Sequence, residues 1–287
     1  MSTLRRDLLD QLVAKDRDWS DEGSTPDTKE ILFKGKRGRI IGNARIPGGK
    51  GPFPTIMICH GIPGTEMLQD FAINLCNLGF ATVCFHYSGS WGSDGDYHFA
   101  HCIEDAAAVL NAIRENPDGW YDTDRIFVLG HSLGGMVATY VIAETPFVKG
   151  GVIMMPFNGI LSIEAMRNGD KAATNMLLNE FAPFLNGLTK ESLLKDADED
   201  ADRFTLASHA EKLSKKPVLT VGGDFDTVLP RADNIDLLNT AIESYHRGNL
   251  TTKTFPVDHS MNFNRNQIMR YVGEYMVDLA EGKIQAK

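Results

Sequence analysis

Cysteine is scarce: there are four in 287 residues, and none share a C-x-x-C spacing. Cys59 and Cys84 fall in apolar strand-like runs and Cys76 and Cys102 in helical ones, so buried free thiols are expected, not a disulfide framework or a thiolate metal site. Positive charge is also in short supply, with 29 Lys and Arg against 38 Asp and Glu and a formal charge of −9. Nucleic-acid surfaces need clustered cations, so that balance argues against such a partner. Long hydrophobic runs are missing, since the longest are strand-sized and too short to span a bilayer. The stretch Met1 to Asp10 carries charges and has no continuous apolar core of a secretory signal. A cytoplasmic chain with no membrane partner is expected. No internal repeat occurs, which excludes a solenoid.

What is present is the composition of an ordinary globular protein, 43% hydrophobic and 23% charged, long enough to bury a large core in a single α/β domain. Residues 1–28 are polar and read as an N-terminal extension, with a short amphipathic helix over Leu4 to Val13 and a loop from Asp21 through Pro26. Glu30 to Lys34 and Arg39 to Ile46, joined through Gly35-Lys-Arg-Gly38, predict an antiparallel hairpin at a sheet edge. Strand and helix patterns then alternate. Thr55–Cys59, Phe80–Phe85, Ile126–Leu129, Gly150–Met155, Pro217–Val221 and Leu250–Phe255 read as strands, and Met67–Leu78, Cys102–Glu115, Ala232–Ser244 and Phe263–Leu279 as helices. Repeated β-α-β units require a parallel sheet covered on both faces. The rhythm breaks over 157–206, which has helix formers such as Ala172–Phe181 and the charged run Lys195–Arg203 but no strand pattern. A helical cap insertion over the strand ends is expected there, within a core of 29–156 and 207–287.

One motif concentrates chemistry. A β-branched apolar run feeds into Gly130-His131-Ser132-Leu133-Gly134, followed by the helical pattern Met136 to Ala143. This is the sequence of a nucleophile elbow, in which a strand-to-helix turn too tight for flanking side chains lifts a serine hydroxyl into the open. A serine hydroxyl needs a base to become nucleophilic, and the base needs an acid to hold its tautomer. Two later strand ends supply candidates: Val218 to Gly223 runs into Asp224 and Asp226, and Phe255-Pro-Val-Asp258 into His259. The order is therefore Ser132, then Asp224 or Asp226, then His259.

These three motifs, in that order and context, resemble the α/β-hydrolase superfamily from about residue 30 onward. The resemblance implies a mostly parallel central sheet flanked by helices with a helical cap. From the D-x-x-x-P ending at Asp226 to Pro230 it also implies that Asp226, not Asp224, is the acid. His60-Gly-Ile-Pro-Gly64 looks like the superfamily's oxyanion loop, which makes the backbone N–H groups of Ile62 and Leu133 the expected oxyanion donors. The loop Phe85 to Asp96 with its Gly-Ser-Trp-Gly-Ser core resembles two groups, the cinnamoyl and feruloyl esterases and, more distantly, prolyl-oligopeptidase-type catalytic domains. Both often open this loop with an acidic residue and arginine, whereas Phe85, His86 and Ser88 stand here. The implied activity is a serine carboxylesterase on small aromatic esters. A peptidase, an acyl-thioester hydrolase and a silent ligand-binding protein on the same fold are the alternatives.

A small-molecule ester is the expected partner, no cofactor is called for, and a homo-oligomer is left open. The substrate pocket is expected to draw on His60, His131, Trp91, Met176 and Phe181. Trp91, Tyr97 and Phe99 either wall the pocket or pack their own loop, and Met166, Met176, Leu177, Leu178, Phe181 and Phe184 either wall it or form the core of the cap. His86, His98 and His101 lack a recognised ligand spacing, so no metal is expected.

Overall fold

The computed structural model describes residues 25–287. The helix expected over Leu4 to Val13 and the start of the following loop lie outside the described residues. Eight strands, β1 (Asp27–Gly35), β2 (Gly38–Ile46), β3 (Phe53–Cys59), β4 (Ala81–Phe85), β5 (Tyr121–His131), β6 (Val148–Met154), β7 (Val218–Gly223) and β8 (Leu250–Phe255), form one sheet. Their order is β1-β2-β4-β3-β5-β6-β7-β8. The hairpin β1–β2 sits at one edge and pairs antiparallel to β4, and every pairing from β4 to β8 is parallel.

Parallel strands need cover on both faces, and their residues divide accordingly. Met57 and Cys59 of β3 and Ile126 and Val128 of β5 point into one buried cluster, with α2 (Phe99–Glu115), α3 (Leu133–Glu144) and α6 (Ile235–Glu243). The alternate residues Ile56, Ile58, Phe127 and Leu129 join a second cluster with α1 (Gln69–Asn77) and α7 (Arg265–Ala280). All four cysteines are buried thiols outside any disulfide. Burial pushes the thiols of Cys59 and Cys84 up to about 12, so they stay protonated. No helix of the described residues is long and apolar enough to cross a membrane.

Between β6 and β7 the described chain is helical and contributes no strand. It comprises α4 (Gly159–Arg167), a single turn at Lys171–Thr174 that widens into a π-helical stretch at Asn175–Phe181, α5 (Lys190–Asp200), and short turns up to Leu213. The last of these extend past residue 206 because Leu206, Ala210 and Leu213 are buried in the same cluster as α3. The charged run is not uniformly solvated: Asp196 is 5% exposed and its Oδ2 accepts from the N–H groups of Phe99 (2.9 Å) and Ala100 (3.3 Å). That cap lets α2 start three residues before the apolar periodicity that begins at Cys102.

Candidate active site

The geometry at Ser132 follows from two glycines. Strand β5 ends at His131 and α3 begins at Leu133, leaving Ser132 at φ 58°, ψ −123°, a conformation L-residues rarely adopt. A Cβ at Gly130 would lie 2.0 Å from the Gly134 oxygen, and one at Gly134 would lie 1.9 Å from the Cys59 oxygen. No side chain fits either position. The turn is held by Ser132 N–H donating to Met154 O (3.1 Å), and by Ser132 O accepting from Gly135 (2.9 Å) and Phe157 (2.9 Å).

Two loops at the ends of β7 and β8 meet this turn. His259 Nε2 lies 2.9 Å from Ser132 Oγ, and His259 Nδ1 lies 2.7 Å from Asp226 Oδ2. A carboxylate can only accept, so Nδ1 carries the proton and Nε2 presents its lone pair to the serine hydroxyl. The Asp226 side chain is 1% exposed. Its other oxygen accepts from the N–H groups of Val228 (3.0 Å) and Leu229 (2.8 Å), which fixes the carboxylate beneath the ring. Asp224 faces elsewhere, paired with Arg231, which also reaches Asp236.

The loop expected to supply an oxyanion donor packs directly on the serine. A Cβ at Gly61 would lie 3.0 Å from Ser132 Cβ, so glycine permits this approach. His60 Nδ1 donates to Gly61 O (2.7 Å) and Trp91 Nε1 donates to Pro63 O (2.6 Å), tying the loop on both sides of Ile62. Leu133 opens α3, so its N–H is among those a helix cannot pair internally. His131 Nε2 donates to His259 O (2.8 Å), with the two rings 4.9 Å apart. Burial lowers both His60 and His131 to about 3, so neither carries charge beside His259 at neutral pH.

A cavity of about 640 Å³ opens over Ser132 and His259. Ile62 and His131 border it from below, Val228 and Leu229 from the side, and Met176, Leu177 and Phe181 of the insertion from above. Of the five residues expected in the pocket, Met176, Phe181 and His131 line it. His60 does not, because it is 1% exposed beneath its loop. Trp91 stands outside as well, stacked on Phe184 at 6.3 Å and 23° with its nitrogen committed to Pro63. Tyr97 and Phe99 are fully buried core residues, as is Met166. Sequence reasoning missed Ser162, Glu180 and Thr227, which bring polar groups to the lining; Ser162 and Glu180 sit in no motif, and Thr227 is a variable position within the D-x-x-x-P ending after β7.

It also missed Arg37, from the β1–β2 turn, which binds Glu104 (2.7 Å) and Asp105 (3.0 Å). Asp105 in turn accepts from Ser88 N–H (2.7 Å), fixing the root of the loop that carries Trp91. Partners more than 60 residues apart leave no local signal.

An eight-stranded, mostly parallel sheet with helices on both faces and a serine on the elbow after its fifth strand defines the α/β-hydrolase fold. Within it, the family model for the serine aminopeptidase S33 group matches residues 51–203, more than half of the chain, and the chain belongs to that family. Among curated proteins it is similar to esterase EstD of Thermotoga maritima, 30% identical over 140 residues, and to a 31.7 kDa protein of Escherichia coli encoded between traX and finO, 31% identical over 154 residues. The aligned stretches span 45% and 51% of this chain and only 32% and 53% of those relatives. Among solved structures, esterase Pf2001 of Pyrococcus furiosus superposes with a TM-score of 0.65 at 17% identity, covering 93% of this chain and 96% of that one. Est1E of Butyrivibrio proteoclasticus with ferulic acid bound gives 0.69 at 20% identity, covering 88% and 99%. The acylaminoacyl peptidase of Pyrococcus horikoshii gives 0.69 at 14% identity, covering 92% of this chain and 42% of its own. At these identities the likeness is one of fold.

Proposed function

We propose that this chain hydrolyses carboxylic esters through an acyl-serine, with small aromatic acids of the hydroxycinnamoyl type as the acyl group. The observation that carries this proposal is the continuous relay from Ser132 Oγ through His259 to Asp226, at 2.9 and 2.7 Å, on the floor of a cavity. His259 Nε2 takes the hydroxyl proton as Ser132 Oγ attacks the ester carbonyl, and Asp226 stabilises the imidazolium that forms. The charge developing on the carbonyl oxygen is met by the N–H groups of Ile62 and Leu133. His259 returns the proton to the leaving alcohol, then activates water to free the acid. This cycle needs no metal or organic cofactor.

The substrate class rests on the cavity walls. Phe157, Met176, Leu177 and Phe181 offer an apolar surface suited to an aromatic ring, and Ser162 and Glu180 offer polar groups to a ring hydroxyl. The similarity to EstD supports an ester over other acyl substrates. One observation favours peptide hydrolysis: Glu66 and Glu180 both line the cavity, where a carboxylate would receive a substrate ammonium. Glu66, however, is paired with Arg265, and Glu180 accepts from Asn175 (2.6 Å).

Labelling with a fluorophosphonate tests the assignment of the nucleophile. One adduct per chain is expected, on the peptide containing Ser132, and none in Ser132→Ala or His259→Ala. Undiminished labelling of either variant would remove the triad.

A further inference from the structure

Away from the cavity, where the loop between β4 and α2 meets the insertion, Asp96, His98 and His101 bring one carboxylate oxygen and two ring nitrogens within 4.8 Å of one another. We propose that these three residues bind a divalent transition-metal ion of the zinc class, which braces the helical insertion against the sheet body. The histidines alone show no ligand spacing, and His86, weighed with them, is not part of the group. The third ligand is Asp96, so the motif is D-x-H-x-x-H across the start of α2.

Two imidazoles and a carboxylate suit zinc, nickel or cobalt. His98 Nε2 lies 3.1 Å from Asp96 Oδ2, close to the separation of about 3.3 Å between ligands on a tetrahedral ion with bonds of about 2.0–2.1 Å. One ligand atom from each of the three residues lies within 4.8 Å of the others, at most about 1.5 Å beyond that separation, and the His101 side chain is 22% exposed.

Both rings are already oriented through their other nitrogen. His98 Nδ1 faces Asp196 Oδ1 at 3.4 Å, and His101 Nδ1 donates to the main-chain oxygen of Asp96 at 2.9 Å. Both acceptors hold the proton on Nδ1 and leave Nε2 for a ligand bond, as the outer partners of metal-binding histidines do. The local field is also prepared for a cation. The Asp196 carboxylate covers the positive end of α2, and Arg37, 3.5 Å from the His101 carbonyl, is neutralised by Glu104 and Asp105. Asp96 is 48% exposed, which leaves the outer coordination positions to water.

The site spans the junction between insertion and body. Asp196 belongs to α5, the Asn186 oxygen accepts from Tyr97 N–H (2.6 Å), and a Cβ at Gly187 would lie 2.7 Å from Asp96 Cβ. An ion here would hold these contacts together.

The test is titration of the untagged, chelator-treated full chain with Zn²⁺ by calorimetry, and with Co²⁺ by visible absorption. One ion per chain is expected, with Tm raised by about 3 °C at tenfold excess of free ion over Kd. His98→Gln and His101→Gln should each weaken binding by at least about tenfold, and Asp196→Asn by about tenfold through loss of ring orientation. His246→Gln, at an exposed position elsewhere, should bind as the wild type does. His101 is partly exposed, so its variant keeps the test decisive even if His98→Gln fails to fold. Absence of a stoichiometric ion, or wild-type affinity in His101→Gln, would overturn the proposal.

Discussion

The floor and the roof of the cavity hold their shape by different means. The floor is made where β3, β5, β7 and β8 end, and each contact there is to main chain or leaves no room for a side chain: Gly134 sits against the Cys59 carbonyl, Gly61 against the Ser132 side chain, and the Asp226 carboxylate takes two main-chain N–H groups of its own loop. The roof comes from a π-helical stretch whose side chains are half-buried or exposed apart from Leu177, so it is shaped by side chains against a loose helix. On the proposed function, the chemistry, which needs sub-ångström placement, falls to the floor, and the choice of substrate, which tolerates slack, falls to the roof.

The largest effects should come from the floor. Ser132→Ala should lower kcat by at least about 10⁴-fold with far-UV circular dichroism unchanged. Asp226→Asn should cost about 10⁴-fold, because an amide no longer enforces the His259 tautomer, whereas Asp224→Asn should change kcat by no more than a few-fold. Steady-state kinetics on the pair decides it, and a larger loss at Asp224 would reassign the acid.

Glycine substitutions sharpen the contrast in stability. Gly134→Ala drives a Cβ to within 1.9 Å of backbone and should cost more than about 3 kcal/mol or prevent soluble expression. Gly169→Ala, between α4 and the next helical turn, also has a positive φ of 87° but meets nothing within 4 Å, and should cost only about 1 kcal/mol by urea denaturation. Equal losses would mean that the roof is as tightly determined as the floor.

At the roof, Phe181→Ala should raise KM by about tenfold while kcat changes little, as expected for lost ground-state contact. A fall in kcat alone would place Phe181 in the reacting geometry.

The last prediction concerns acid, which acts on stability and leaves the chemistry aside. His131 sits at about 3 when folded, against an unfolded value of 6.5. The unfolded chain therefore gains a proton that the folded chain refuses, and stability is lost as pH falls from 6.5 toward 3, by up to about 1.4 kcal/mol per pH unit. In His131→Gln the fall in urea midpoint between about pH 6 and pH 4 should be shallower by about one proton. An unchanged slope would contradict the buried neutral ring.

The same division separates what the sequence makes legible from what it does not. The elbow is readable because steric exclusion leaves only glycine at 130 and 134, and His259 and the aspartates after β7 are readable as partners for Ser132 because strand ends in a parallel sheet converge. The choice between Asp226 and Asp224 came from a resemblance, and the structure brings Asp226 to His259. The roof is obscure because its geometry is set by tertiary packing. Trp91 is placed by a hydrogen bond to Pro63, the Ala172–Phe181 segment widens into a π-helix, and Asp196, within a run of charges, is buried as the cap of a helix nearly a hundred residues away.

The most direct test of the central claim is kcat/KM of the wild type on a hydroxycinnamate methyl ester beside an aminoacyl anilide, with Ser132→Ala as the blank. The account predicts hydrolysis of the ester, dependent on Ser132, with the anilide untouched. Cleavage of the anilide alone, or ester turnover that persists in Ser132→Ala, would contradict it.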